Sequence, residues 1–122
     1  MKETKFNVWN KKHKFMDTAW LIDWEHGRVC HSKHNESDLS DCILLQFTGV
    51  KDKDNKDIYD GNLITGGGLL VPFELYWNTP SSEWWVKRGD DEGWKIDLSC
   101  SKRYEVVGNK FEDKHPLEGD AV

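Results

Sequence analysis

The chain has 122 residues, a formal net charge of -5, 37% hydrophobic residues and 32% charged residues. Seven Trp, five Phe and three Tyr supply large apolar area, enough for a packed core at this length and too much for a disordered tail or a collagen-like repeat. The acidic balance disfavours sequence-independent binding to a phosphate backbone.

From the N-terminus, short alternating segments divided by turn residues predict strands. Phe6 and Val8 alternate with Lys5 and Asn7, Asn10-Lys11-Lys12 reads as a hairpin tip, and the chain returns through Phe15 and Met16. Trp20 to Trp24 is a second apolar run, closed by Glu25-His26-Gly27, where Gly27 supplies the positive φ of a tight turn before Val29. Residues 31–41 are polar and read as a loop, with one helical turn near Ser37–Ser40. Ile43 to Thr48 is a buried strand that Gly49 ends. Lys51 to Lys56 is a charged turn, followed by Ile58 and Tyr59, an Asp60-Gly61 turn, then Leu63 and Ile64.

Gly66-Gly67-Gly68 reads as a flexible break. Leu69 to Trp77 is the longest strand candidate, and Pro72 within it indicates an edge or a bulge. Glu83–Arg88 and Trp94–Leu98 form a hairpin pair around Gly89–Gly93. Tyr104–Gly108 is the last strand. No helical period lasts beyond about two turns, so the expected class is all-β, a barrel or a sandwich of about eight to ten short strands.

No apolar run approaches the roughly 20 residues of a membrane-spanning helix. Cys30, Cys42 and Cys100 are an odd set, and the charged start Met1-Lys2-Glu3-Thr4-Lys5 is not a secretory segment. A reducing cytoplasm is the expected setting, with no membrane partner.

Several clusters invite chemistry. Cys30, His31, His34 and Cys42 offer zinc-type donors. Their spacing matches no common finger, however, and adjacent Cys30 and His31 would face opposite sides of a strand. Surface histidines and a buried thiol are the favoured reading. Asp52, Asp54, Asn55 and Asp57 resemble the start of a calcium loop, but Lys56 and Asp57 stand where an oxygen ligand and a glycine are needed, so a solvated turn is favoured. No catalytic signature and no phosphate loop occurs; no enzyme activity, cofactor or metal is expected. Trp84 and Trp85 with Lys87 and Arg88 join aromatic to basic side chains. They read as core plus interface in preference to a base-stacking surface, because Asp90, Asp91 and Glu92 follow directly.

Three segments together resemble a known family. Lys5-Phe6-Asn7-Val8-Trp9-Asn10-Lys11-Lys12 with Met16 is similar to the K-F-R-x-W-D-K opening of YopX-like proteins. The run Leu45-Gln46-Phe47-Thr48-Gly49-Val50-Lys51-Asp52 through Ile58-Tyr59-Asp60-Gly61-Asn62 resembles their M-Q-Y-T-G-L-K-D-K-N-G-K-x-I-Y-E-G-D. Tyr104-Glu105-Val106-Val107-Gly108-Asn109 is similar to Y-E-V-I-G-N. Asn62 replaces the family's acidic residue, and Asp54-Asn55 lacks the glycine of its turn.

The resemblance implies one domain over 1–122 with a small SH3-like barrel and additional antiparallel strands. The N-terminal β subdomain would cover about 1–35 and the barrel core about 43–111. It also implies a phage or prophage origin and carries over no catalytic residue. Gln46, Thr48, Gly49, Asp52, Ile58, Tyr59, Gly61, Gly108 and Asn109 form a structural motif, which by itself does not imply a function.

The expected role is a non-enzymatic accessory protein that works by binding, as a homo-oligomer whose surplus Trp residues meet at subunit contacts. Its candidate surface is Trp9, Lys11, Lys12, Trp84, Trp85, Lys87 and Arg88. The alternative is a nucleic-acid-binding regulator. It would use Lys2, Lys5, Lys11, Lys12 and Lys14, with Trp9 as the stacking ring, and rests on the local charge of +3 over residues 1–35.

Overall fold

The computed structural model describes residues 5–31 and 35–112. The chain divides into two compact units, residues 1–47 and 48–122. Strand β5 (Cys42–Lys51) runs from the first into the second.

In the first unit β1 (Phe6–Asn10), β2 (Phe15–Asp23), β3 (Arg28–His31), β4 (Asn35–Asp38) and the start of β5 pair antiparallel in the order β4-β3-β2-β1-β5. A one-turn 3-10 helix, Leu39–Asp41, leads into β5. Thus, of the polar stretch 31–41 expected to loop, His31 ends β3 and residues 35–41 are an edge strand followed by that turn. Pairing with β3 supplies backbone partners that a sequence window does not see.

Val8, Ala19 and Val29 lie on the buried face, with Phe6, Ile22, Leu39 and Leu44 packed against them. Asn10 ends β1, so the hairpin tip is residues 11–14 and not 10–12. The Asn10 carbonyl accepts from the Lys14 N–H at 2.8 Å and its side-chain oxygen from the His13 N–H at 2.8 Å. Lys14 takes the left-handed conformation there.

The second unit contains β6 (Asp57–Tyr59) beside the end of β5, and a five-stranded sheet. That sheet is built from β7 (Asn62–Gly66), β8 (Leu69–Asn78), β9 (Glu83–Lys87), β10 (Trp94–Lys95) and β11 (Tyr104–Asn109), ordered β10-β9-β8-β7-β11. Residues 98–103 form a short 3-10 segment. Ile58, Ile64, Leu75, Val86 and Tyr104 make the core.

The all-β expectation holds. The SH3-like closure does not: the described strands form open antiparallel sheets, and β10 and β11 end their sheet without pairing to each other. Gly49 does not end its strand; β5 continues through it with φ of 94°. The Asp60-Gly61 turn separates β6 from β7 as expected, with β6 beside β5 and β7 between β8 and β11. Pro72 is tolerated because β9 pairs β8 only from Glu74 onward.

The three glycines are a tight β7–β8 connection and not a loose break. A Cβ on Gly66 would lie 2.3 Å from the Arg103 carbonyl oxygen, and one on Gly67 2.6 Å from the Tyr104 ring, so only glycine admits that approach.

Asp52 ties the β5–β6 turn to β11. It is fully buried. Its Oδ1 accepts from the Asp54 N–H (2.8 Å) and the Lys56 N–H (2.9 Å), and its Oδ2 from the Val106 N–H (2.8 Å). The Lys53 N–H donates to the Tyr104 carbonyl at 3.0 Å. The turn thereby occupies outward-facing groups of β11, an end strand of its sheet, as a sixth strand would.

Candidate functional site

The strongest exposed apolar feature lies in the first unit. β2 and β3 pair as Ala19 to His31 and then Leu21 to Cys30, so Trp20 is an extra residue at a bulge. The bulge shifts the in-out alternation by one position. Ala19 and Ile22 both reach the core, while Trp20 and Leu21 both turn to solvent. Trp20 is 66% exposed, Leu21 50%, and Trp24, in the following turn, 70%.

The Trp20 indole is held in place: its Nε1 donates to the His31 carbonyl at 3.1 Å. The turn is fixed by Asp23, whose Oδ1 accepts from the His26 N–H at 3.1 Å, with His26 Nδ1 2.8 Å from Oδ2. These bonds hold the Asp23 carboxyl below its ordinary pKa. A groove of about 230 Å³ is lined by Phe6, Ala19, Trp20, Leu21, Ile22 and Trp24, with no charged residue among them.

A second feature of that unit is a buried polar chain. The β1–β2 register sets Val8 opposite Asp17, and that of β3 and β4 sets Val29 opposite Ser37. Positions two residues apart on a strand share a face. Asn10, Asp17, His31 and Ser37 therefore stand on the same face as Val8, Ala19 and Val29. Asp17 Oδ2 is 2.9 Å from His31 Nδ1, His31 Nε2 is 3.1 Å from Ser37 Oγ, and Asn10 Nδ2 donates to Ser37 Oγ at 3.1 Å. His31 is 1% exposed, and the Phe15 ring packs at 5.4 Å from it.

Beside this chain is a cavity of about 150 Å³, lined by Asn10, Lys12, His13, Arg28, Glu36, Ser37, Asp38 and Asp41. Asn10, Asp17, His31 and Ser37 come from four separate strands and carry no local motif. Pairing register alone unites them.

The zinc-type donors fare differently. His31 spends both ring nitrogens on Asp17 and Ser37. The Cys30 thiol points to Glu36 at 3.6 Å. Burial, then the Glu36 charge, pushes the Cys30 thiol above its ordinary pKa; burial, then Asp41, does the same to Cys42. Both changes favour the protonated form, which is a poor ligand. His34 lies outside the described residues, and among those described no three His, Cys, Asp or Glu gather to hold a metal.

The loop that resembled a calcium site is organised by Asp52 and backbone N–H groups, and Lys51 pairs with Asp57 at 3.0 Å.

Trp9, expected at a surface, is 7% exposed. So little exposed surface leaves its ring no open face for stacking. Lys11 and Lys12 lie exposed in the β1–β2 turn; Lys2 lies outside the described residues. Lys5 stands over the Phe47 ring at 5.0 Å.

In the second unit Trp84 packs on the core and meets Trp77 edge-on at 5.1 Å. Trp85 is half-buried. Lys87 covers the Tyr76 ring at 5.0 Å, and Arg88 covers Phe73 at 5.7 Å while bonding the Pro72 carbonyl. This aromatic and basic stripe is engaged with its own unit.

The motif residues serve the backbone. Gln46 is exposed in β5 and Ile58 and Tyr59 are buried. Thr48 Oγ1 accepts from the Val50 N–H at 3.3 Å, and Asn109 Oδ1 accepts from the Phe111 and Glu112 N–H groups. Gly108 sits at a register shift in β11. Asn62, the departure from the family pattern, accepts from the Tyr59 N–H at 2.7 Å.

Compared with known proteins, the chain matches the sequence model of the family described as YopX protein over residues 2–118. No curated protein matches it. Among solved structures it is similar to the crystal structure of protein EF1440 from Enterococcus faecalis, at 16% identity. The alignment covers 96% of this chain and 99% of that one with a TM-score of 0.62. At that identity the likeness concerns the fold.

Proposed function

The chain belongs to the YopX family, and we propose that it acts by binding, as a protein that self-associates through Trp20, Leu21 and Trp24. The observation that carries this reading is the bulge-presented trio of large apolar side chains beside an apolar groove. Exposed indoles bordering a groove of about 230 Å³ offer a knob and a hole on one patch. Such a patch is complementary to itself and suits a two-fold contact. Two copies of a chain carrying -5 repel at most surfaces. A groove without charged lining is where they meet at least electrostatic cost.

A phage or prophage accessory role in the bacterial cytoplasm fits this reading. Three free thiols support the setting. The nucleic-acid alternative loses its stacking ring with Trp9 buried.

Sedimentation velocity at micromolar concentration tests the proposal. The wild type is expected to sediment as a dimer, and the Trp20→Ser, Trp24→Ser double variant as a monomer with unchanged far-UV circular dichroism. A monomeric wild type, or a dimer that survives both substitutions, refutes it.

A further inference from the structure

We infer that Ser37 is a nucleophile, activated by His31 and oriented through Asp17, for hydrolysis of esters with a short acyl group. This inference stands apart from self-association and rests on different residues.

The direction of each proton follows from the donors available. An ionised Asp17 only accepts, so the proton of a neutral His31 ring sits on Nδ1 and points at Oδ2, 2.9 Å away. His31 Nε2 is then an acceptor, and its partner at 3.1 Å is the Ser37 hydroxyl. Asn10 Nδ2 can only donate, and it donates to Ser37 Oγ. The Cys42 thiol is a further side-chain partner of Ser37, and with Nε2 unprotonated the serine proton is the one that fills the contact with the base. The base is held in the required tautomer by a carboxylate, which the Thr18 N–H fixes in turn at 2.9 Å through Oδ1. Hydroxyl, imidazole and carboxylate in that order and at those distances are the arrangement that lets serine attack a carbonyl.

A polar cluster that served packing alone would need no approach to its hydroxyl. Here Ser37 lines a cavity of about 150 Å³ that also contains Asn10 and Arg28. That volume admits a short acyl chain. Lys12 and Arg28 stand against Glu36, Asp38 and Asp41 in the lining, and Arg28 is ion-paired with Asp38, so the cavity is slightly acidic, which disfavours an anionic substrate and suits a neutral ester.

In the first step Ser37 Oγ bonds to the ester carbonyl carbon, and its proton moves to His31 Nε2. Asn10 Nδ2, which donates to Ser37 Oγ at 3.1 Å, is the side-chain amide donor beside the reacting oxygen. The bond to the alcohol oxygen then breaks, and that oxygen leaves with the proton from Nε2, giving acyl-Ser37. Water attacks the acyl carbon, passing a proton to Nε2. Release of the acid returns that proton to Ser37 Oγ. Ester and water are consumed, and acid and alcohol are formed.

The test uses the full chain and a fluorophosphonate probe. Labelling forms an Oγ–P bond, breaks P–F and releases fluoride and a proton. Intact mass should show one adduct, and peptide mapping should place it on Ser37. Ser37→Ala should abolish it. Asp17→Asn, which keeps the shape of the cluster, should slow labelling by about 10³-fold or more with unchanged near-UV circular dichroism. With p-nitrophenyl acetate as substrate, an acetyl group should be trapped on Ser37 after acid quench. A natively folded wild type with no adduct on Ser37 overturns the inference. So does equal labelling of wild type and Asp17→Asn, which would make the cluster a structural one.

Discussion

Removing the Asp52 carboxylate should be among the most damaging single changes in the second unit. Asp52→Ala deletes an acceptor that serves three backbone N–H groups at 2.8–2.9 Å. Hydrogen bonds to a charged group are each worth about 1.5–3 kcal/mol. The donors are not equivalent, however. Asp54 and Lys56 are exposed, so their N–H groups regain water, whereas Val106 is half-buried in β11 and its N–H regains less. The expected loss is therefore about 3–5 kcal/mol, less than the simple sum, and large against the 5–15 kcal/mol typical of a whole domain.

Asp52→Asn keeps the shape but turns an amide NH₂ toward one of these donors, and should cost about 2–3 kcal/mol. Burial works to raise the Asp52 pKa, but the N–H groups of Val106, Lys56 and Asp54 and the Lys56 charge outweigh it and leave it below the ordinary value. A carboxyl depressed by folding stabilises fully above its unfolded pKa of about 3.9 and loses that contribution as pH falls through the lower, folded value. Urea unfolding followed by Trp fluorescence should show the gap between wild type and Asp52→Asn constant near neutrality and closing in acid below about pH 4. A loss under about 1 kcal/mol for Asp52→Ala, or a gap indifferent to acid, would refute the assignment of Asp52 as the tie between the turn and β11.

Gly67→Ala should destabilise by about 1–3 kcal/mol, since the new methyl meets the Tyr104 ring in a left-handed backbone position; the unfolding midpoint in urea checks it. Leu75→Ala, in the fully buried core of the second unit, should cost about 2–5 kcal/mol by the same measurement, as a cavity replaces packed side chain.

Much of the strand pattern was legible in the residues. Phe6 and Val8, Leu75 and Val86, and the turns at Gly27 and Asp60-Gly61 follow from period-two alternation and turn chemistry, both of which operate within a few residues. The motif around Asp52 was legible as a pattern, but its meaning was not. The acceptor role of Asp52 depends on Val106, 54 residues away. Trp9 looked available because a sequence window does not show which side chains of β1 the tertiary packing covers.

The amino-acid sequence by itself determined an all-β chain with turns at glycines and polar pairs, because side-chain alternation and backbone preference are local properties. The tertiary structure alone decided which strands became neighbours. That choice placed Asp17, His31 and Ser37 on one face, made Trp20 the extra residue of a bulge and left the sheets open where a barrel was expected. Strand register is fixed by long-range pairing, and one residue of slip turns every side chain to the opposite face.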